Sequence, residues 1–166
     1  MVAQNIFFAL IAAMMIVAAL RVVTAKNVVH AALWLVLVLV GAAGQYILLM
    51  SSFVATTQVL VYVGAIMVLF LFGTMLTRSL IGRDPDVDNP SPMKWVGVLT
   101  GAVIAGTLGY VLVDAFGDDE LPADPVIFTT GQISDSIFGQ YLLPFWALSF
   151  VLLAAVVGAI VLARRD

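Results

Sequence analysis

Five long apolar runs, at 6–20, 28–50, 53–76, 95–113 and 141–163, dominate the chain, and none contains Asp, Glu, Lys or Arg. About 20 apolar residues at about 1.5 Å each span the roughly 30 Å hydrocarbon core of a bilayer. The pattern predicts an all-α integral membrane protein forming a single membrane domain over 1–166, with helices at about 4–23, 28–50, 53–76, 95–113 and 141–163. Only Ser51 and Ser52 part the second and third runs, so those helices form a tight antiparallel hairpin. The first run follows Gln4 and Asn5 with no basic residue before it, so it reads as a retained helix rather than a cleaved leader. Ser91-Pro92 offers an N-cap and first-turn pair for the fourth helix. Residues 114–140 form the longest connection.

Charge orients the helices. All 7 Lys and Arg (Arg21, Lys26, Arg78, Arg83, Lys94, Arg164 and Arg165) fall in segments that alternating crossings place on one side. The positive-inside rule makes that side cytoplasmic. The C-terminus is then cytoplasmic, and the N-terminus lies outside with the 114–140 loop. That loop carries Asp114, Asp118, Asp119, Glu120, Asp124 and Asp135 but no cation. Composition agrees with a membrane chain: 63% hydrophobic, 10% charged and a mean hydropathy of +1.15, against about 25% charged in soluble domains.

Candidate chemistry is sparse. There is no cysteine and one histidine, His30. Thiolate clusters, Cys nucleophiles and bis-His haem ligation are therefore excluded for this chain alone. Uncharged runs also leave it without the carboxylate or lysine relay of a proton pump. Asp84, Asp86 and Asp88 have the opening spacing of a calcium loop but lack its glycine and closing glutamate, so they read as a solvated loop. No metal site and no catalytic residue is expected.

The third run stands apart because it holds Gln58, Tyr62, Gly64 and Gly73, with Phe70 and Phe72 between the glycines. Gln58 and Tyr62, four apart, are expected to share a helix face that Ala65 and Leu69 extend. Two readings stand for that pair: interhelical hydrogen bonds that fix packing, the commoner use of neutral polar groups in membranes, or the lining of a hydrated path. Gln45 and Tyr46 pose the same choice on the second helix, where Tyr46 fits an interfacial aromatic. His30 fits a snorkelling or capping group. Gly97, Gly101, Ala105 and Gly109 form a small-residue stripe for close helix packing, and Ala154, Ala155, Gly158 and Ala159 form another. Two stripes and polar faces on a 17.7 kDa chain suggest a part of a larger assembly.

The third run also carries a resemblance. The sequence from Gln58 through Tyr62 and Gly64 to Phe70 and Phe72 closely resembles the signature of the subunit J family of proton-pumping NADH–quinone oxidoreductase, respiratory complex I. Leu20-Arg21, Thr24, Asn27, His30-Ala31, Tyr141, Pro144-Phe145 and the stretch from Gly158 to Arg165 extend the likeness over nearly the whole chain. The resemblance implies five helices and a core membrane subunit, not itself catalytic, in the cell inner (plasma) membrane. Its partners would be the quinone-channel subunit, small three-helix subunits and the lipid bilayer, with no nucleic acid. It would bind no cofactor; NADH or another donor, FMN, iron–sulfur clusters and quinone belong elsewhere in the complex. It also implies a π-bulge near Tyr62 and Gly64 whose straightening opens or closes a water path, with Phe70 blocking or clearing it. Two departures matter: Gln58 stands where some members have Glu, and Trp146 follows Pro144-Phe145 where members often have Glu. The expected function is therefore to couple quinone reduction to proton translocation through a conformational gate formed by Gln58, Tyr62, Gly64 and Phe70. A subunit of a related cation/proton antiporter or membrane-bound hydrogenase complex is the alternative, as is a purely structural scaffold.

Overall fold

A computed structural model describes residues 2–76, 91–117 and 127–164, and the side chains of 91–93 are not among those described. The described residues are helical, with no strand: α1 (Val2–Thr24), α2 (Val28–Leu48), α3 (Ser52–Leu76), α4 (Ser91–Phe116), α5 (Thr130–Phe138) and α6 (Leu142–Ala163). Five of them, all but α5, are long and apolar enough to cross a membrane. The acidic motif at 84–88 lies outside the described residues, as does the Ser91 side chain that would cap α4.

α2 stops at Leu48, two residues short of the predicted end. Met50 takes a left-handed conformation with φ 57°. Its N–H donates to the Ile47 carbonyl at 3.0 Å, and the Ser51 N–H donates to the Tyr46 carbonyl at 2.9 Å. This crossed pair satisfies two carbonyls the helix end would leave orphaned, and it turns the chain sharply into α3. The position normally favours glycine, so methionine here carries a conformational cost. At the other end of α2, the Asn27 side chain accepts a hydrogen bond from the Val29 N–H at 2.9 Å, capping the helix.

Small residues hold the first three helices together. Ala18, Ala32, Ala43, Ala55 and Met67 are the buried apolar side chains, and Gly41 is buried with them. A Cβ at Gly41 would overlap Met15 Cγ, and one at Gly44 would sit 3.2 Å from Ile11 Cδ1. Lipid supplies no hydrophobic drive between helices, so close backbone approach and dispersion contacts do the work. α2 lies between α1 and α3, packing against both.

The remaining helices are bare. Every residue described by burial in α4 is exposed, and in α6 only Leu142 and Gly158 are not. The described part of the 114–140 connection contains a helix, α5, that its acidic pattern does not predict. Thr129 and Gln132 form a reciprocal capping box, and Phe138 meets Phe145 of α6 edge-to-face at 5.2 Å.

Candidate functional site: the π-helical centre of α3

α3 is not a uniform helix. Ser52–Thr57 is α-helical, Gln58–Ile66 is π-helical over 9 residues, and Met67–Leu76 is α-helical again. The Met67 N–H donates to the Tyr62 carbonyl, five residues back. Just before the change, the Thr56 and Thr57 hydroxyls donate to the carbonyls of Ser52 and Phe53, both at 2.9 Å. Such back-bonding weakens and bends helices.

Helical rotation explains what the π segment achieves. Ala55 and Met67, each 3% exposed, are the two buried side chains of α3. They are twelve residues apart, about 1,200° of α-helical rotation, which would leave them about 120° apart around the axis. A π segment absorbs one extra residue. The effective separation falls to about 1,100°, within about 20° of a common face. The line of sheltered positions runs Ala55, Gln58, Val63, Met67, Leu71 and Thr74. The five-residue step from Gln58 to Val63 is the mark of the change in register.

That step corrects the expectation that Gln58 and Tyr62 share a face. Gln58 is part-buried, and its Nε2 donates to the Leu39 carbonyl of α2 at 3.5 Å, a long and weak bond. Tyr62 is 47% exposed, and its hydroxyl has no hydrogen-bond partner among the described residues. Ala65 and Leu69 are exposed as well. Five residues on from Gln58, Val63 takes the place on the sheltered line that an α-helix would give to Tyr62.

Gly64 lies within the π segment. Its φ is not positive, and a Cβ would lie 3.4 Å from the Val59 carbonyl oxygen, an ordinary contact. Glycine is therefore not demanded by the π geometry itself. Phe70, 46% exposed, lies beyond the π segment, so its azimuth depends on the register that segment sets.

The other polar groups are scattered. At one end of the α1–α2 pair, Gln4 Nε2 donates to the Leu48 carbonyl at 2.8 Å, and Gln45 Nε2 to the Phe8 carbonyl at 3.4 Å. Gln45 Oε1 is buried and has no partner among the described residues. At the opposite end, His30 is exposed beside Lys26, and the Arg21 guanidinium sits 5.9 Å from the Trp34 ring centre. Gly97, Gly101 and Gly109 face open space, with nothing within 4 Å of an added Cβ, and Ala105 is exposed. No described helix of this chain packs on that stripe. Among the described residues no group of three or more His, Asp or Glu side chains is placed to hold a metal.

Comparison with known proteins gives consistent matches. The model of the family "NADH-ubiquinone/plastoquinone oxidoreductase chain 6" matches residues 18–162. F(420)H(2) dehydrogenase subunit J of Methanosarcina mazei is 40% identical over 98% of this chain and 92% of its own length. NAD(P)H-quinone oxidoreductase chain 6 of Leptolyngbya boryana is 40% identical over 98% of this chain and 81% of its own. NADH-quinone oxidoreductase subunit J of Rhodobacter capsulatus is 35% identical over 95% and 80%.

Proposed function

The chain belongs to the NADH-ubiquinone/plastoquinone oxidoreductase chain 6 family, and from that membership we propose that α3 is a conformational gate coupling quinone reduction to proton translocation in a multisubunit membrane complex. The observation that carries this reading is the π segment centred on Tyr62. It is a register defect held between two packed α-helical ends.

Straightening Gln58–Ile66 to α geometry shifts the two ends by one residue, about 100° of rotation and about 1.5 Å of translation. The first turns of α3 are tied to α2 through Ala55 and Gln58, so the displacement falls on Met67–Leu76. Met67 leaves α2, and Phe70 is re-aimed by the same angle. A bulky ring swung through that arc opens or blocks a file of water beside the helix. Tyr62, exposed on the outer face, donates to that water or to a neighbouring subunit's carboxylate. With no Asp, Glu, Lys or Arg in any apolar run, the protonatable groups come from other subunits.

The same reading assigns the redox work elsewhere. The relatives' names carry different donors, F(420)H(2), NAD(P)H and NADH, at similar identity to this chain. A subunit so alike across donors is not what selects the donor. Flavin, iron–sulfur clusters and quinone are then held by other subunits, and this chain lies beside the quinone-channel subunit and the small three-helix subunits. The bare faces of α4 and α6, including the Gly97–Gly109 stripe, serve as subunit contacts. The confinement of Lys and Arg to alternate segments supports a cytoplasmic C-terminus, an external N-terminus and a place in the cell inner (plasma) membrane.

Tyr62→Phe tests the gate in the assembled complex. It removes one hydroxyl that no described residue uses. The expected result is normal assembly and donor–quinone turnover with a lowered proton yield per quinone reduced. Wild-type proton yield, or a defect confined to assembly, favours a scaffold. Neighbouring genes for hydrogenase or antiporter subunits would move the chain to those related complexes instead.

A further inference from the structure

At the hairpin end formed by α1 and α2 lies an open cavity that the gate does not use. It measures about 420 Å³, within the range of about 300–1,000 Å³ typical of small-ligand sites. Arg21, Lys26, Asn27, His30 and Trp34 line it. We propose that this cavity binds the phosphate headgroup of an anionic phospholipid, with Arg21 and Lys26 as the phosphate ligands and Trp34 as its floor.

Charge, depth and geometry converge on this occupant. Neither Arg21 nor Lys26 forms an ion pair among the described residues, and the first acidic residue in the sequence is Asp84. The Arg21 guanidinium is held over the Trp34 ring at 5.9 Å. That contact leaves its edge N–H donors available, in the fork that suits phosphate oxygens. His30 and the Asn27 amide add further donors. Asn27 keeps its Oδ1 on the Val29 N–H, so its NH₂ group remains for a ligand. The cavity lies where two spanning helices end, at headgroup depth, the level at which tryptophan settles. Leu20 and Leu33, next in sequence to Arg21 and Trp34, are exposed and offer apolar surface for acyl chains. A soluble anion gains from the cations alone, whereas a lipid gains from both parts of the site. The inference needs only the spanning helices and is independent of the gate.

The test uses the assembled complex in nanodiscs doped with photoactivatable phosphatidylglycerol or phosphatidylcholine of matched acyl chains. Crosslinked peptides are then mapped. Each cation near an anionic headgroup favours it about fivefold, so residues 17–37 should be labelled at least about fivefold more by the phosphatidylglycerol probe. Arg21→Gln combined with Lys26→Gln should reduce that labelling to the phosphatidylcholine level, and Arg21→Lys should retain most of it. Millimolar inorganic phosphate should not compete. Equal labelling of the wild type by the two probes overturns the proposal without recourse to any variant. Competition by phosphate down to the phosphatidylcholine level overturns it in favour of a free-anion site. Absence of labelling by either probe overturns it in favour of a neighbouring subunit that covers the cavity.

Discussion

Deleting Leu60 isolates the register change from every other property of α3. Leu60 is exposed and lies inside the π segment. Its removal takes out one residue, the amount by which Gln58–Ile66 exceeds an α-helix. The separation of Ala55 and Met67 then falls to eleven residues, about 1,100° of continuous α rotation, so both still face α2 within about 20°. The sheltered line keeps all its members, and the five-residue step from Gln58 to Val63 becomes four. The helix also keeps its length, because the π segment already spans one residue's rise less than its residue count. The variant should assemble and reduce quinone at a near-normal rate in the presence of an uncoupler. It has lost the spare residue, however, and with it the ability to turn Phe70 by about 100°. In proteoliposomes, proton-gradient formation per quinone reduced should fall several-fold. A control deletion of Leu69, in the α-helical part beyond Met67, has no π residue to absorb it. It turns Leu71 and Thr74 about 100° off α2, so assembly should suffer. A Leu60 deletion that pumps at the wild-type ratio would refute the register mechanism outright. So would a Leu60 deletion that fails to assemble while the Leu69 deletion succeeds.

Three further outcomes follow from the packing. Gly64→Ala should assemble and keep the π segment, visible as unchanged density or amide-exchange protection at 58–67, because a methyl there meets only the Val59 carbonyl oxygen at 3.4 Å. Met50→Gly should stabilise the α2–α3 hairpin by about 1 kcal/mol, measured as a raised midpoint of unfolding of the chain in mixed micelles, since glycine adopts the left-handed position without the penalty. Gly41→Val should separate α1 from α2, because a Cβ there overlaps Met15; loss of a disulfide crosslink engineered across that seam would report it.

The spanning helices were legible because charge is absent from the apolar runs and concentrated between them. The π segment was not legible from residue pattern. Val59, Leu60, Val61, Val63, Ala65 and Ile66 are apolar on every side, so nothing contrasts a period of 3.6 with a wider one. Only burial along α2 reveals the line from Ala55 to Thr74. Resemblance pointed to a bulge near Tyr62 and Gly64, and a π segment lies there. The assumption of uninterrupted α geometry misplaced Tyr62 relative to Gln58. α5 was missed for a different reason. Its signal, Thr129 three residues before Gln132, is a capping box. The acidic residues around it dominate the pattern of 114–140, and the Phe138–Phe145 contact that fixes the helix is tertiary. The Arg21–Trp34 contact spans the turn between two helices, so spacing within either helix could not disclose it.

The bareness of α4 bears on how the protein comes into being. A helix whose residues all stay exposed beside the described part of its own chain gains little stability from that chain's folding. α1, α2 and α3 can form a small packed unit as soon as they are inserted, but α4 and most of α6 wait for other polypeptides. Stability is then a property of stoichiometry, set by the supply of partner subunits. A cell that makes this chain in excess should degrade the surplus, with cleavage directed to the half that follows α3.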